Sequence, residues 1–205
     1  MRFSLRLAIV ALAAFALGGA VALLVLPGAR EALFNPVRTV VTGAATIGGP
    51  FTLTDHTGKR VTDQDFRGRY MLVFFGFIFC PDICPGSLQV MTEAMERIGP
   101  KQAGKITPLF ISVDHERDTP AELKEYVKSF HPRLVGLTGS ATDIAAAAKA
   151  YRAIYRRVAD QKSKAGYTID HTTFFYLMGP DGKFITHFTH GVLPDVLAKR
   201  LAALP

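Results

Sequence analysis

Tyr70-Met-Leu-Val-Phe-Phe-Gly-Phe-Ile78 runs directly into Phe79-Cys80-Pro81-Asp82-Ile83-Cys84-Pro85, and this passage decides the fold. A continuous apolar run of this kind reads as a strand covered on both faces, the pattern of the centre of an α/β sheet. Pro85 suits the first turn of a helix, and Leu88, Met91, Met95 and Ile98 continue at helical spacing. The passage therefore predicts strand, corner, helix, with both cysteines of the chain on the corner. Ligand sites in open α/β sheets gather beyond the carboxyl ends of strands, and this corner is such a place.

The rest of the pattern extends the same sheet. Ile106 to Val113 reads as a second core strand, followed by Thr119-Pro120-Ala121-Glu122, a capping box with proline at the first helical position. Leu134-Val-Gly-Leu137 is a short strand, and Ser140-Ala-Thr-Asp143 opens an alanine-rich helix. Phe51-Thr-Leu-Thr54 and Lys59-Arg-Val-Thr62 flank Asp55-His-Thr-Gly58, a hairpin with glycine in its turn. Thr173 to Met178, the turn Gly179-Pro-Asp-Gly182 and Lys183 to His187 form a second hairpin, and Pro194 starts a terminal helix. Hairpin, then β-α-β-α-β-α, then hairpin and helix predicts a mixed α/β layer sandwich.

Composition narrows the function. The chain has 205 residues, 49% of them hydrophobic and 20% charged, which fits one globular domain plus a short segment. Net charge is +7, but Arg2, Arg6 and Arg30 fall in a first stretch without acids, and no block of like charges occurs, so nucleic-acid binding has no support. Two cysteines exclude both a disulfide-dense scaffold and a four-thiolate zinc site.

Mean hydropathy is +0.21, high for a protein wholly in water. Leu7 to Ala29 carries no charge, and as a helix it spans about 34 Å, enough for a hydrocarbon core of ~30 Å. This predicts a cytoplasmic flank at 1–6, a transmembrane anchor at 7–29, a tether at 30–50 rich in glycine and proline, and a domain at 51–205. Arg2 and Arg6 before the span place the domain on the far side, so the expected location is a bacterial inner membrane with the domain in the periplasm. A cleaved signal peptide is the alternative.

Cys84 falls at or beside a helix N-terminus, where the macrodipole favours a thiolate. Both sulfurs on one corner can join in a disulfide, stay inert, or clamp one soft ion. A metal needs a third ligand, and the histidines available are His56, His115, His131, His171, His187 and His190. His171 has the best claim because Ile169-Asp170-His171-Thr172 immediately precedes a core strand, at the mouth of the sheet. Asp170 is a candidate to orient it, against the plainer role of a turn residue; Asp82 is a candidate cap. Two sulfurs and one imidazole suit copper: thiolates select Cu(I), and imidazole lets the site also accept Cu(II). Zinc in a closed structural site wants a fourth protein ligand, and none stands out.

At these residues the chain resembles the Sco/SenC family of thioredoxin-like, membrane-tethered copper proteins. The resemblance rests on Cys80-Pro-Asp-Ile-Cys-Pro85, Ser112-Val-Asp-His-Glu-Arg-Asp-Thr-Pro120 and Tyr167-Thr-Ile-Asp-His-Thr172 running into Phe174-Phe-Tyr-Leu-Met178. It implies a thioredoxin-like mixed sheet flanked by helices, with an added β-hairpin, and one copper ion per chain held by Cys80, Cys84 and His171. It also implies a partner, cytochrome c oxidase subunit II, whose binuclear copper centre such proteins help assemble by delivering copper, by reducing its cysteines, or both. Two positions depart from the family: His115 stands where proline is usual, a weak extra donor, and Phe79 where a polar residue is common. The expected activity is that of a metallochaperone rather than an enzyme with turnover. The alternative is a dedicated periplasmic thiol–disulfide oxidoreductase using Cys80 and Cys84 without metal delivery. Against general oxidoreductase work stand the three residues between the cysteines and the absence of proline in His171-Thr172-Thr173. Peroxide reduction by Cys80 is disfavoured because residues 77–80 read Phe-Ile-Phe-Cys, without a threonine three places before the cysteine.

Overall fold

The computed structural model describes residues 46–81, 83–163 and 165–205. In chain order the strands are β1 (Thr52–Asp55), β2 (Arg60–Thr62), β3 (Tyr70–Gly76), β4 (Ile106–Ser112), β5 (Val135–Thr138), β6 (Tyr155–Ala159), β7 (Tyr167–His171), β8 (Phe174–Met178) and β9 (Phe184–Thr189). The helices are α1 (Ile83–Arg97), α2 (Gly99–Ala103), α3 (Pro120–Val127), α4 (Ala141–Tyr151) and α5 (Pro194–Ala202), with a 3-10 turn at Asp63–Phe66. Seven strands form one sheet in the order β2-β1-β5-β4-β3-β8-β9, and β6 and β7 form a separate two-stranded ribbon.

The parallel centre is β3, β4 and β5, with β8 antiparallel to β3 and β1 antiparallel to β5. Every residue of β3 and β4 is buried, so both faces of the sheet centre are covered, as the unbroken apolar run requires. Phe74, Phe75, Phe110 and Phe175 are among the largest fully buried side chains, and each such burial contributes about 1.5–3 kcal/mol. Helix α1 buries Leu88, Met91 and Met95 and packs against α5. Thr119 accepts from Glu122 N–H at the start of α3, one half of the expected capping box, while Ser140 and Asp143 form the full reciprocal box on α4. In the first hairpin the Asp55 carboxylate accepts from the N–H groups of Thr57 and Lys59, and Gly58 takes φ +90°, which favours glycine.

The mixed α/β sheet and both expected hairpins are present. The ribbon of β6 and β7 was not anticipated from the sequence. The anticipated anchor at 7–29 and its flank lie outside the described residues. Within the expected tether, residues 46–50 carry no helix or strand, and Gly48 N–H donates to the carbonyl of Ala150 at 2.9 Å. Among the described residues no helix is long and apolar enough to cross a membrane.

Candidate metal centre

Three limbs of the fold meet at the carboxyl end of β3. Cys80 sits in the corner that leaves the strand, with its N–H turned back to the carbonyl of Phe77 at 3.4 Å. Cys84 is the second residue of α1 and is fully buried. His171 is the last residue of β7; alternation along that strand puts Tyr167, Ile169 and His171 on one face. The Sγ atoms of Cys80 and Cys84 and a ring nitrogen of His171 lie within 4.8 Å of one another. Cys84 Sγ is 3.3 Å from His171 Nε2, and Cys84 N–H donates to Cys80 Sγ at 3.4 Å.

The imidazole is oriented from both sides. Its Nδ1 lies 3.1 Å from the carbonyl of Thr172, which can only accept, so Nδ1 carries the proton and Nε2 presents its lone pair to the sulfurs. Thr172 is itself fixed, donating its N–H to the Ile154 carbonyl at 2.8 Å and accepting from Ile154 N–H at 2.9 Å through its hydroxyl. Phe74 and Phe77 meet the ring nearly perpendicularly, at centroid distances of 6.2 and 5.8 Å. Asp170, the sequence's candidate for this orienting role, faces the opposite side of β7 and pairs with Arg156 at 3.1 Å. Adjacent residues of a strand point to opposite faces, so Asp170 turns to Arg156 and, although it lines the cavity beside the cluster, is not the group bonded to the imidazole.

The neighbouring sulfur and burial together override the helix dipole at Cys84. The shared hydrogen bond with Cys80 and then desolvation push its thiol well above the ordinary range, so Cys84 is a protonated thiol rather than the expected thiolate. A cation entering the pocket reverses this balance by displacing both thiol protons. The cluster joins two sulfurs and an oriented imidazole, a donor set that fits copper. The group opens on a cavity of about 330 Å³ whose wall includes Phe77, Pro81, Ile83 and Thr173.

The other sequence candidates stand elsewhere. His56 and His131 accept backbone N–H bonds from Gly136 and Arg133, and the His187 ring meets that of Phe174 at a tilt, 5.0 Å between centroids. His190 is exposed, and His115 is exposed and not brought into the group. Phe79 is 54% exposed with the Arg117 guanidinium 5.0 Å from its ring centroid, and Asp82 lies outside the described residues.

Sequence reasoning missed the support beneath the cysteine corner. Asp118 is fully buried; its Oδ2 accepts from Ile78 N–H at 2.9 Å and Ser112 hydroxyl at 2.6 Å, while Oδ1 has no partner among the described residues. Desolvation raises its pKa from the usual 3.8 to about 6. The sign is opposite to that of a paired surface carboxylate: the folded state holds the proton more tightly, so the penalty is full above pH 6 and disappears as pH falls through the window between the two values. That step corresponds to about 3 kcal/mol. Asp118→Asn keeps an acceptor oxygen for both bonds and cannot ionise. Denaturant titrations are expected to show it more stable than the parent at pH 7, with the gap closing by pH 4; a constant gap contradicts this reading.

Comparison with known proteins adds an independent line. A human relative, "Protein SCO1 homolog, mitochondrial", is 42% identical over 161 residues, covering 78% of this chain and 53% of the human protein. The chain thus spans about half the length of that relative. The crystal structure of Arabidopsis thaliana ScoI with copper bound superposes with a TM-score of 0.71 at 40% identity, covering 76% of this chain and 96% of that one. The structure of Bradyrhizobium japonicum ScoI with copper bound gives 0.69 at 45% identity, covering 76% and 97%. These neighbours carry the thioredoxin-like Sco fold. The expected location in a bacterial inner membrane with a periplasmic domain is corrected here: no described helix can cross a membrane, and the human relative is a mitochondrial protein by name. A family model described as SCO1/SenC matches residues 40–204, and the chain belongs to that family.

Proposed function

We propose that this chain is a copper-binding assembly factor that carries one copper ion at Cys80, Cys84 and His171 and passes it to the binuclear copper site of cytochrome c oxidase subunit II. The observation that carries the reading is the convergence of two sulfurs and one oriented imidazole within 4.8 Å, open to a cavity on one side. Copper is cargo here. Cys80 and Cys84 release their protons as it enters, and His171 brings its lone pair without a proton to lose. Three donors leave room for a further one around the ion, so ligands of the acceptor can enter from the cavity while the chain's own donors leave one at a time.

The unequal exposure of the sulfurs favours a second activity at the same site. Cys80 is half-buried and Cys84 fully buried, which fits an attacking and a resolving thiol. Cys80, losing its proton, attacks a disulfide of the acceptor; a mixed disulfide forms and one acceptor thiol leaves. Cys84 then attacks Cys80, releasing the second acceptor thiol and leaving the carrier oxidised by two electrons. Such a step would prepare the acceptor's cysteines for the metal.

Anaerobic titration of the purified chain is expected to show one tightly bound copper per chain. Mixing the loaded chain with a copper-free, reduced subunit II fragment should move the metal, while an oxidised fragment should first consume both thiols of the carrier. Copper that stays on the chain in every mixture, or a chain that takes up none, overturns the proposal.

A further inference from the structure

The ribbon that carries His171 has no backbone ladder to the seven-stranded sheet that carries the cysteine corner. Beyond the covalent joins at its ends, where only Thr172 and Thr173 separate β7 from β8, its position relative to the two sulfurs comes from side chains. Apart from the bonds of His171 itself, the side-chain hydrogen bonds from β6 and β7 to the rest of the domain run, among the described residues, to one short segment. Tyr167 hydroxyl donates to Asp114 Oδ1 at 2.9 Å, and Arg157 pairs with Glu116 at 2.8 Å. Four residues after Asp114, Asp118 holds the other limb through Ile78 N–H, two residues before Cys80. A turn joins the two carboxylates, Asp118 N–H donating to the Asp114 carbonyl at 2.9 Å, and Ser112 bridges them by donating its hydroxyl to Asp118 and accepting Asp114 N–H.

Arg117 completes the arrangement. It pairs with Asp114 while its guanidinium lies 4.0 Å from the Tyr167 ring centroid and 5.8 Å from that of Phe77, the residue whose ring meets His171. Two buried carboxylates are costly to keep, and a scaffold that needed only packing would do better with apolar side chains. What they provide is direction: hydrogen bonds from one rigid turn reach both halves of the metal centre and fix their separation.

We propose that the segment Asp114–Asp118 is a strut that sets the distance between the cysteine corner and the histidine ribbon, with Asp118, Asp114 and Tyr167 as positioning residues for copper. The proposal rests on the copper-carrying reading above and touches residues that do not themselves ligate. It explains why the motif Ser112-Val-Asp-His-Glu-Arg-Asp-Thr-Pro120 accompanies the cysteine motif although it supplies no donor to the cluster.

The test uses the full chain and two readouts. Tyr167→Phe removes one hydroxyl; Asp118→Ala removes the bond to Ile78 N–H at the cysteine corner and the bond to the Ser112 hydroxyl; Asp118→Asn keeps an acceptor oxygen for both. The first two are expected to weaken Cu(II) binding about 10–100-fold, the range for partners that orient ligands, and to change its electron paramagnetic resonance spectrum while both thiols remain countable. Asp118→Asn should restore affinity and spectrum to near the parent values. In the copper-free chain, the nitrogen chemical shifts of the His171 ring should move in Tyr167→Phe and Asp118→Ala only. Glu125→Gln, which breaks an exposed ion pair with Lys128, is the control expected to change neither. Folded Tyr167→Phe with parental affinity, spectrum and ring shifts overturns the strut, even if Asp118→Ala fails to fold. If the parent chain binds no copper, the copper-carrying reading fails, and the ring shifts alone still decide whether the strut positions His171.

Discussion

His171→Ala is expected to abolish tight Cu(II) binding while leaving a folded chain with two countable thiols. The ring contributes little to stability: it is only half-buried, and its two edge contacts with Phe74 and Phe77 are worth roughly 0.5–1.5 kcal/mol each. Its contribution to copper is larger and depends on oxidation state. Cu(I) is satisfied by two thiolates, so the variant should keep much of its Cu(I) affinity. Cu(II) needs the nitrogen donor, and losing it should cost more than the 10–100-fold typical of losing a mere orienting partner, so about 100-fold or more. Competition titrations in each oxidation state, with thiols counted before and after, give the comparison. A variant that binds Cu(II) as tightly as its parent would show that the imidazole at 3.3 Å from Cys84 Sγ is not a ligand.

How far this site could be read from sequence depends on where its determinants lie along the chain. The apolar run of β3, the caps at Thr119 and Ser140 and the turn at Asp55-His-Thr-Gly58 each carry their signal within a few residues, and each appears where expected. The ribbon was harder. Tyr155-Arg-Arg-Val-Ala159 buries almost nothing, so β6 has no hydrophobic alternation to detect, and β7 ends its inward-facing series on a histidine. Its orienting partner, the Thr172 carbonyl, is a backbone group that leaves no mark in the sequence, which is why Asp170 looked the better candidate. Cys84 shows a related failure: a helix start can be read from the residues nearby, but not the burial and the neighbouring sulfur that outweigh its dipole. Asp118 carries no local signal of its role, because its partners, Ile78 and Ser112, are brought to it only by the parallel pairing of β3 with β4.

The same pairing explains why Gly76 closes β3, and it makes Gly76→Ala the second large effect expected. A Cβ at this position would lie 2.7 Å from Cys84 Sγ, 2.8 Å from Phe110 Cε2 and 3.2 Å from Phe74 Cε1. All three neighbours are fully buried, so none can swing into solvent to make room. One methyl must therefore displace the cysteine sulfur, tilt two packed rings, or shift the strand that pairs Gly76 with Ser112. Overpacking of this kind costs about 1–3 kcal/mol, which for a domain of this size lowers Tm by roughly 2–4 °C per kcal/mol. Gly86 is the matched control: it lies on α1, exposed, with nothing within 4 Å of the added carbon, so Gly86→Ala should gain about 0.5–1 kcal/mol from helix propensity. Opposite signs for the same substitution ten residues apart would show that contact with Cys84 and the rings, not backbone freedom, requires glycine at 76. Because the displaced atom is a proposed copper ligand, Gly76→Ala should also weaken metal binding in proportion to how far Cys84 Sγ moves from His171 Nε2. A variant that keeps both Tm and affinity would mean that β3 yields more easily than seven consecutive buried residues imply.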